Sequence, residues 1–285
     1  MPGPVNFKEE PPTRPVLISS AAVTIGCGPS KPPKNSGTEL QPRPQHQVNV
    51  SRPTGGAVLV PPPYRDQQGR PIQHSASELD RNTLMEALTD VAAFLDRQGV
   101  RTQLVTVGGA VNTLYLQSRI STHDVDFFLE NASSSTHHAI HEAARFANRQ
   151  RGGRLGAEWL NNATQLFMPV QLQQTLFRAA LEQGVVVFEG GGLRVYAAPW
   201  SYAFCGKLNR LSDPLSGGEP RPYDLADAVV YLHEYLRTTG RQTVGVRQVR
   251  EWCKQYNKKM TDEVLRRVDD AYYQQYSRRA IDWRA

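Results

Sequence analysis

The stretch of sequence that decides the fold is residues 107–129, VGGAVNTLYLQSRISTHDVDFFL. We predict a buried strand over 104–107, a break at Gly108 and Gly109, and a helix over 110–116. Two glycines between a strand and a helix let backbone N–H groups approach a ligand where a Cβ would obstruct it, and the N-terminus of the helix favours anions. This turn therefore predicts a phosphate-binding site suited to a triphosphate.

Two acidic residues stand near the end of the same stretch. Asp124 and Asp126 flank Val125 in a second predicted strand over 124–129. Residues i and i+2 share one face of a strand, so the two carboxylates are expected side by side, with Val125 on the opposite, buried face. Adjacent carboxylates repel unless a divalent cation lies between them, and Mg²⁺ is typically held by one or two carboxylates plus phosphate oxygens. The pair predicts an Mg²⁺ (or Mn²⁺) site for metal-assisted phosphoryl or nucleotidyl transfer.

Upstream of this stretch, four aliphatic residues recur at helical spacing: Leu84, Leu88, Val91 and Leu95. They predict an amphipathic helix. A capping box at Ser75 and Glu78 is expected to begin it, and Gly99 to end it.

Downstream, the pattern predicts a helix over 133–151, a β-hairpin, and then helices only. The hairpin pairs 185–188 with 193–197, with Glu189 and three glycines in the turn. After residue 200 we predict helices near 201–211, 223–239, 246–256 and 261–277. This order indicates the α+β class, with a C-terminal helical subdomain.

The first 75 residues differ in composition from the rest of the chain. They contain 15 of the 20 prolines but only two aromatic residues, Phe7 and Tyr64. Such a segment buries too little apolar surface to offset the entropy of ordering it. We predict a disordered Pro-rich tail at 1–75, which would dock a partner protein, a core domain at 76–200 and a helical subdomain at 201–285.

Cysteine content and hydropathy exclude several classes of protein, whereas net charge does not argue for nucleic-acid binding but does not exclude it. The formal net charge is +6, but residues 1–75 carry eight Lys/Arg against four Asp/Glu, so the remainder is less basic than a typical nucleic-acid-binding domain. The three cysteines are widely spaced, which excludes a disulfide scaffold and a zinc ribbon. No apolar run reaches the ~18–20 residues of a membrane span, and the first residues lack the apolar core of a signal peptide. We expect an intracellular protein, cytoplasmic or nuclear, that does not associate with membranes.

The glycine pair and the paired acids together resemble the signature of the DNA polymerase β-type nucleotidyltransferase superfamily, which is strand, Gly-Gly, helix, then acid–apolar–acid. The minimal branch found among toxin–antitoxin nucleotidyltransferases is the most similar, because an Arg-x-Thr/Ser segment often precedes its paired acids, as RISTH does here at 119–123. The sequence EWLNN at 158–162 is also similar to an element of that branch. The resemblance covers about residues 79–236 and implies a mixed sheet flanked by helices.

A second block, CGKL at 205–208 and RPYDLAD at 221–227, resembles the downstream pattern of the family. The resemblance implies that Lys207 contacts nucleotide phosphates and that Asp224 lies near the metal site. A surface position is the alternative for Lys207. Arg119 either contacts phosphate or acceptor, or pairs with a neighbouring acid.

The family pattern leaves a third carboxylate to be identified. Many members supply one from a strand after the paired acids, but the predicted strands here contain none. Either Glu189 or Asp224 completes the site, or the metal site has only two acids. We favour Asp224, because Asp224 and Asp227 share a helix face and follow Lys207 as they do in the minimal branch.

The sequence thus predicts an Mg²⁺-dependent nucleotidyltransferase that moves an NMP from an NTP to an acceptor hydroxyl and releases pyrophosphate. The acceptor is left open among an RNA such as a tRNA end, a protein and a small molecule. The candidate catalytic residues are Asp124, Asp126, Lys207 and Asp224, and the candidate nucleotide-binding residues are Gly108, Gly109, Arg119 and Lys207. The alternative is a catalytically inactive module of the same fold that binds nucleotide or a partner protein. A third hypothesis is RNA binding through the Tyr/Arg-rich C-terminal helix.

Overall fold

The computed structural model describes residues 78–130, 133–213 and 220–284. The predicted tail at 1–75, with its expected capping residue Ser75, lies outside the described residues.

A five-stranded mixed sheet forms the centre of the fold. The strands of the described residues are β1 (Leu79–Asp80), β2 (Thr102–Val107), β3 (Ser121–Thr122), β4 (Val125–Phe128), β5 (Leu160–Asn161), β6 (Val186–Gly190), β7 (Leu193–Ala197), β8 (Val244–Gly245) and β9 (Ile281–Asp282). The central sheet has the order β5-β4-β2-β7-β6. Strand β2 runs parallel to β7 and antiparallel to β4, β5 runs parallel to β4, and β6 runs antiparallel to β7. The predicted α+β class and the hairpin of β6 and β7 are confirmed.

Helices flank this sheet and make up the chain after residue 200. They are α1 (Arg81–Arg97), α2 (Gly109–Val111), α3 (Ser134–Gln150), α4 (Val170–Gln183), α5 (Trp200–Ser212), α6 (Asp224–Thr239), α7 (Val246–Gln255) and α8 (Asp262–Tyr276). A π-helix, Asn112–Leu116, continues α2, and a 3₁₀-helix spans Ala163–Phe167. In the described ranges, no helix combines the length and the apolar character that crossing a membrane requires.

The predicted stripe of α1 is confirmed, but its predicted beginning is wrong. Leu84, Leu88, Val91 and Leu95 are all fully buried. The helix is capped by the Asp80 carboxylate, which accepts the Thr83 N–H at 2.8 Å, whereas Glu78 accepts the Ser121 hydroxyl at 2.8 Å. Because β1 pairs with β3, residues 79–80 are held extended, and the helix begins only at Arg81.

Two further features differ from the prediction. Helix α4 was not expected, since the polar residue Gln173 interrupts its apolar face. Gln173 is buried because its amide donates to the Leu129 carbonyl. Glu189 lies within β6 and not in the turn, and it pairs with Arg194 of the opposite strand.

The buried apolar side chains form one continuous cluster across the predicted domain boundary at residue 200. Trp200 is 1% exposed, and its ring lies 6.0 Å from that of Tyr231 and 6.2 Å from that of Tyr115. The cysteines Cys205 and Cys253 are buried and free, with 3.4 Å between their Sγ atoms. The helices after residue 200 therefore share a core with the sheet, which places their side chains against the end of β2.

Candidate functional site

The glycine turn after β2 requires glycine at both positions, for different reasons. Gly108 has φ +70° and ψ −134°, a backbone conformation that side chains with a Cβ rarely adopt. A Cβ on Gly109 would overlap Thr122 Oγ1, because β3 passes directly over the start of α2. The Tyr231 hydroxyl of α6 donates to the Gly108 carbonyl at 3.2 Å. The turn is thus held in a tight conformation, and its two glycines are partly exposed.

Gly109→Ala is expected to destabilise the fold by about 1–3 kcal/mol, because Thr122 or α2 must move to admit the methyl group. Chemical unfolding measures this loss. Gly206→Ala is the matched control: Gly206 lies in α5, and apart from its chain neighbours and the backbone of that helix no atom lies within 4 Å of the place that the added methyl group would take, so stability should stay equal or rise by about 0.5–1 kcal/mol. Equal effects of the two substitutions would contradict this account of the turn.

The paired acids lie beside this turn. Asp126 of β4 stands opposite Val107 of β2 in the antiparallel register, and Asp124 immediately precedes β4. Val125 is fully buried on the other face, whereas both carboxylates are partly exposed and line one cleft with Gly108 and Gly109. The predicted face of the strand is therefore confirmed, and the register brings the glycine turn and the acids to the same end of the sheet.

The electrostatics of this pair disfavour two free negative charges. Burial and the neighbouring Asp124 raise the pKa of Asp126 from 3.8 to about 7, against the opposing effects of a hydrogen bond from Asn161 and the charges of Arg210 and Arg221. A carboxylate with such a pKa binds a proton or a cation near neutral pH. The donor set, two adjacent carboxylates facing a cleft, fits Mg²⁺.

The raised pKa of Asp126 predicts a pH-dependent stability in metal-free buffer. Between about pH 4 and pH 7 the folded protein keeps a proton that the unfolded chain has lost, so stability falls as pH rises, by on the order of 2–4 kcal/mol. Above pH 7 Asp126 is charged in the folded protein, and the full cost of burying that charge remains. Asp126→Asn removes it, so the variant should be more stable than the wild type at pH 8 and similar at pH 4. Urea unfolding with EDTA measures both profiles, and parallel profiles would contradict the prediction.

Several cationic side chains line the same cleft and form its cationic wall. The cleft has a volume of about 290 Å³, close to the lower end of the ~300–1,000 Å³ range of ligand pockets. Its cationic side chains are Arg119, Lys207, Arg210, Arg221 and Lys258. Two carboxylates and several cations in one cleft suit a ligand that carries phosphates and a divalent metal ion.

Lys207 is buried and held by two acids of α6. Its Nζ lies 2.7 Å from Asp224 Oδ1 and 2.7 Å from Asp227 Oδ2, and only 7% of the residue is exposed. The alternative of a surface position for Lys207 is therefore wrong. Its ammonium borders the cleft, but its charge is balanced by carboxylates behind it.

Asp224 is fully buried beneath the cleft and does not line it. Its carboxylate accepts from Lys207 and from the Arg221 backbone N–H at 2.8 Å, and Arg210 Nη1 lies 3.4 Å away. Burial alone would raise the pKa of Asp224, but the hydrogen bonds from Lys207 and Arg221 and the charges of Lys207 and Arg210 lower it below its ordinary value. This carboxylate is already satisfied by cationic partners.

Arg119 pairs with Asp227, which was one of its two predicted roles. Its guanidinium donates to both carboxylate oxygens of Asp227 and lies 3.5 Å from the centre of the Tyr223 ring. Asn112 of the π-helix also donates to Asp227, at 2.8 Å. Asp227 thus links the segment before the paired acids to α6, and Arg119 still borders the cleft.

The third carboxylate remains a prediction. Glu189 lines a different hollow, of about 790 Å³, at the hairpin of β6 and β7. In the described ranges, no group of three or more His, Cys, Asp or Glu side chains is arranged to hold a metal ion. Of the candidate acids Asp124, Asp126, Glu189 and Asp224, the first two line the cleft.

Sequence reasoning missed two residues of this site. Asn161 pairs with Asp126 across β4 and β5 and forms a hydrogen bond to its carboxylate, although the EWLNN resemblance contained it. Lys258 lines the cleft from the segment after α7, and nothing in its local sequence indicated this.

A model of a protein family described as "Domain of unknown function (DUF7582)" matches residues 77–279, which include the glycine turn, the paired acids and the cationic wall. Neither the curated proteins nor the solved structures include a match to the chain.

Proposed function

We propose that this chain, which belongs to the DUF7582 family, is an Mg²⁺-dependent nucleotidyltransferase of the DNA polymerase β type. It would transfer an NMP from an NTP to an acceptor hydroxyl. The observation that carries the proposal is the register of β2 with β4, which brings the glycine turn and both carboxylates to one cleft. Either feature alone is common in proteins, but their convergence in a cleft that cationic side chains also line favours phosphate chemistry.

The glycine turn would bind the triphosphate. Without a Cβ at Gly108 or Gly109, phosphate oxygens approach the backbone N–H groups at the start of α2 closely. Arg210 and Arg221 border the same cleft and would add positive charge. Positioning and charge stabilisation are the main contributions of a protein to phosphoryl transfer.

The paired carboxylates would bind the metal ion, and one of them would accept the proton of the acceptor hydroxyl. When held by Asp124 and Asp126, Mg²⁺ or Mn²⁺ would neutralise charge on the phosphates. One of the two carboxylates would accept the proton of the acceptor hydroxyl as its oxygen attacks the α-phosphorus. The bond between the α-phosphorus and the bridging oxygen then breaks, and pyrophosphate leaves.

Lys207 and Asp224 take a supporting role in this proposal. The Lys207 ammonium is already balanced by Asp224 and Asp227. It would therefore hold α5 against α6 at the border of the cleft. Its attraction for the phosphates would be reduced by the two carboxylates. Asp224 would orient Lys207 and the Arg221 backbone instead of binding metal.

A second function, nucleotide binding without transfer, is favoured by one observation. The cleft contains no third carboxylate from the described residues, and a site with two acids holds a metal–triphosphate complex without necessarily activating an acceptor. Pyrophosphate release separates the two functions, because only the enzyme produces it.

The test uses the full chain with each of the four α-³²P-labelled NTPs, Mg²⁺ and a total cell extract, and resolves the products on a denaturing gel. We expect a labelled product and pyrophosphate with at least one NTP, both lost with EDTA and in the Asp124→Ala/Asp126→Ala variant. Sensitivity of the label to nuclease or protease identifies the class of acceptor. Nucleotide binding with neither label nor pyrophosphate would support the inactive module.

A further inference from the structure

Lys258 is a cation of the cleft that comes from outside the predicted nucleotidyltransferase region. It follows α7 in the chain, beyond residue 236, yet it lines the cleft together with Gly109, Asp126 and Arg210. Its side chain is half-buried, and its Nζ lies 5.9 Å from the centre of the Tyr202 ring.

The backbone around Lys258 is held from two sides. Asn257 adopts a left-handed conformation, φ +51°, which ends α7 and lets the Lys258 N–H donate to the Cys253 carbonyl at 2.7 Å. The next N–H, of Lys259, donates to Asn209 Oδ1 of α5 at 2.7 Å. The backbone that carries Lys258 at the border of the cleft is therefore fixed, which reduces the entropy lost when the residue binds a ligand.

Lys258 differs from the neighbouring cations in its surroundings. Lys207 and Arg119 each pair with buried carboxylates, whereas none of the carboxylates in the described ranges forms an ion pair with Lys258. Burial lowers the pKa of Lys258, Cys205 opposes this shift, and the like charge of Arg210 adds to it. Arg210 lines the same cleft and pairs with Asp224 at 3.4 Å, so an anion bound there would offset the desolvated charge of Lys258.

We propose that Lys258 is a phosphate-binding residue of this cleft and completes, with Arg210, a subsite for the phosphate tail of an NTP. The subsite rests on the proposed function for the identity of its ligand. The contact with nucleotide phosphates that the resemblance assigned to Lys207 would be made by Lys258, in the segment after α7. The C-terminal helices would thus take part in binding the substrate directly.

Inorganic tripolyphosphate in EDTA-containing buffer is the probe, because it lacks a base and needs no catalysis. Isothermal titration with the full chain should show that Lys258→Met weakens binding about tenfold, since the substitution removes the charge and keeps most of the apolar stem. Lys259→Met is the matched control: Lys259 is largely exposed and pairs with Asp213 at 2.5 Å, so its loss should change the affinity less than about twofold. Lys258→Arg should retain most of the affinity.

The outcomes separate this inference from the proposed function. Wild-type affinity in Lys258→Met, equal losses in the two Lys→Met variants, or no binding of tripolyphosphate by the wild type at millimolar concentration would each overturn the subsite. Binding that depends on Lys258 without any nucleotidyl transfer would leave the subsite standing and contradict the enzyme. Thermal unfolding controls for folding, and Lys258→Met should match or exceed the wild type because it removes a desolvated charge beside Arg210.

Discussion

Asp126→Asn is expected to lower nucleotidyl transfer by on the order of 10³-fold or more, a loss of about 4 kcal/mol of transition-state stabilisation. The substitution keeps the size of the side chain and one acceptor oxygen but removes the negative charge that would hold the metal ion. Asp126 lies opposite Val107 in the central sheet, so the change leaves the strand pairing in place.

The measurement is pyrophosphate release by the full chain at saturating Mg²⁺ and NTP, with the cell extract as the source of the acceptor hydroxyl, followed by unfolding to show that the variant is folded. Glu189→Gln is the matched control, because Glu189 is a strand carboxylate of the same sheet that lines another hollow and pairs with Arg194. It should retain transfer within about twofold. Undiminished transfer by Asp126→Asn would remove Asp126 from the reaction and, with it, the proposed enzyme.

Lys207→Met is expected to destabilise the protein by about 3–5 kcal/mol. The substitution leaves Asp224 and Asp227, 0% and 3% exposed, without the ammonium that lies 2.7 Å from each. Breaking a buried ion pair by removing one partner is costly, because the remaining charge stays desolvated. Asp227 keeps Arg119 and Asp224 keeps Arg210, so the loss falls within that range and does not exceed it.

Urea unfolding measures this loss without any ligand, so it is independent of the proposed function. Arg250→Met is the control: Arg250 and Asp262 form an ion pair in which both side chains are 51% exposed, and losing it should cost no more than about 1 kcal/mol. Lys207→Met/Asp227→Asn should recover part of the loss, because one buried charge is removed with its partner. A loss below about 1 kcal/mol for Lys207→Met would contradict this prediction, because it would mean that water solvates Asp224 and Asp227 once the ammonium is removed.

The local parts of the fold were predictable because they follow from the neighbouring residues alone. The stripe of α1, the strand before the glycine turn and the alternation at Asp124, Val125 and Asp126 each reflect the period of one element. The start of α1 was not predictable in this way, because the pairing of β1 with β3 brings together residues about 40 positions apart. Helix α4 was missed for a similar reason, since Gln173 is buried only by virtue of its contact with Leu129.

The candidate site likewise has features that neighbouring residues determine and features that only tertiary contacts determine. The sequence by itself determined the glycine turn and the two adjacent carboxylates, because steric limits on φ and the two-residue repeat of a strand act within a few residues. Only the tertiary structure decided which cations face the cleft: it placed Lys207 and Arg119 against acids of α6 and brought Lys258 to the cleft from beyond the motif. Whether a charge is free to bind a ligand depends on which carboxylates lie within a few ångströms and on how much water remains, and chain packing alone determines both.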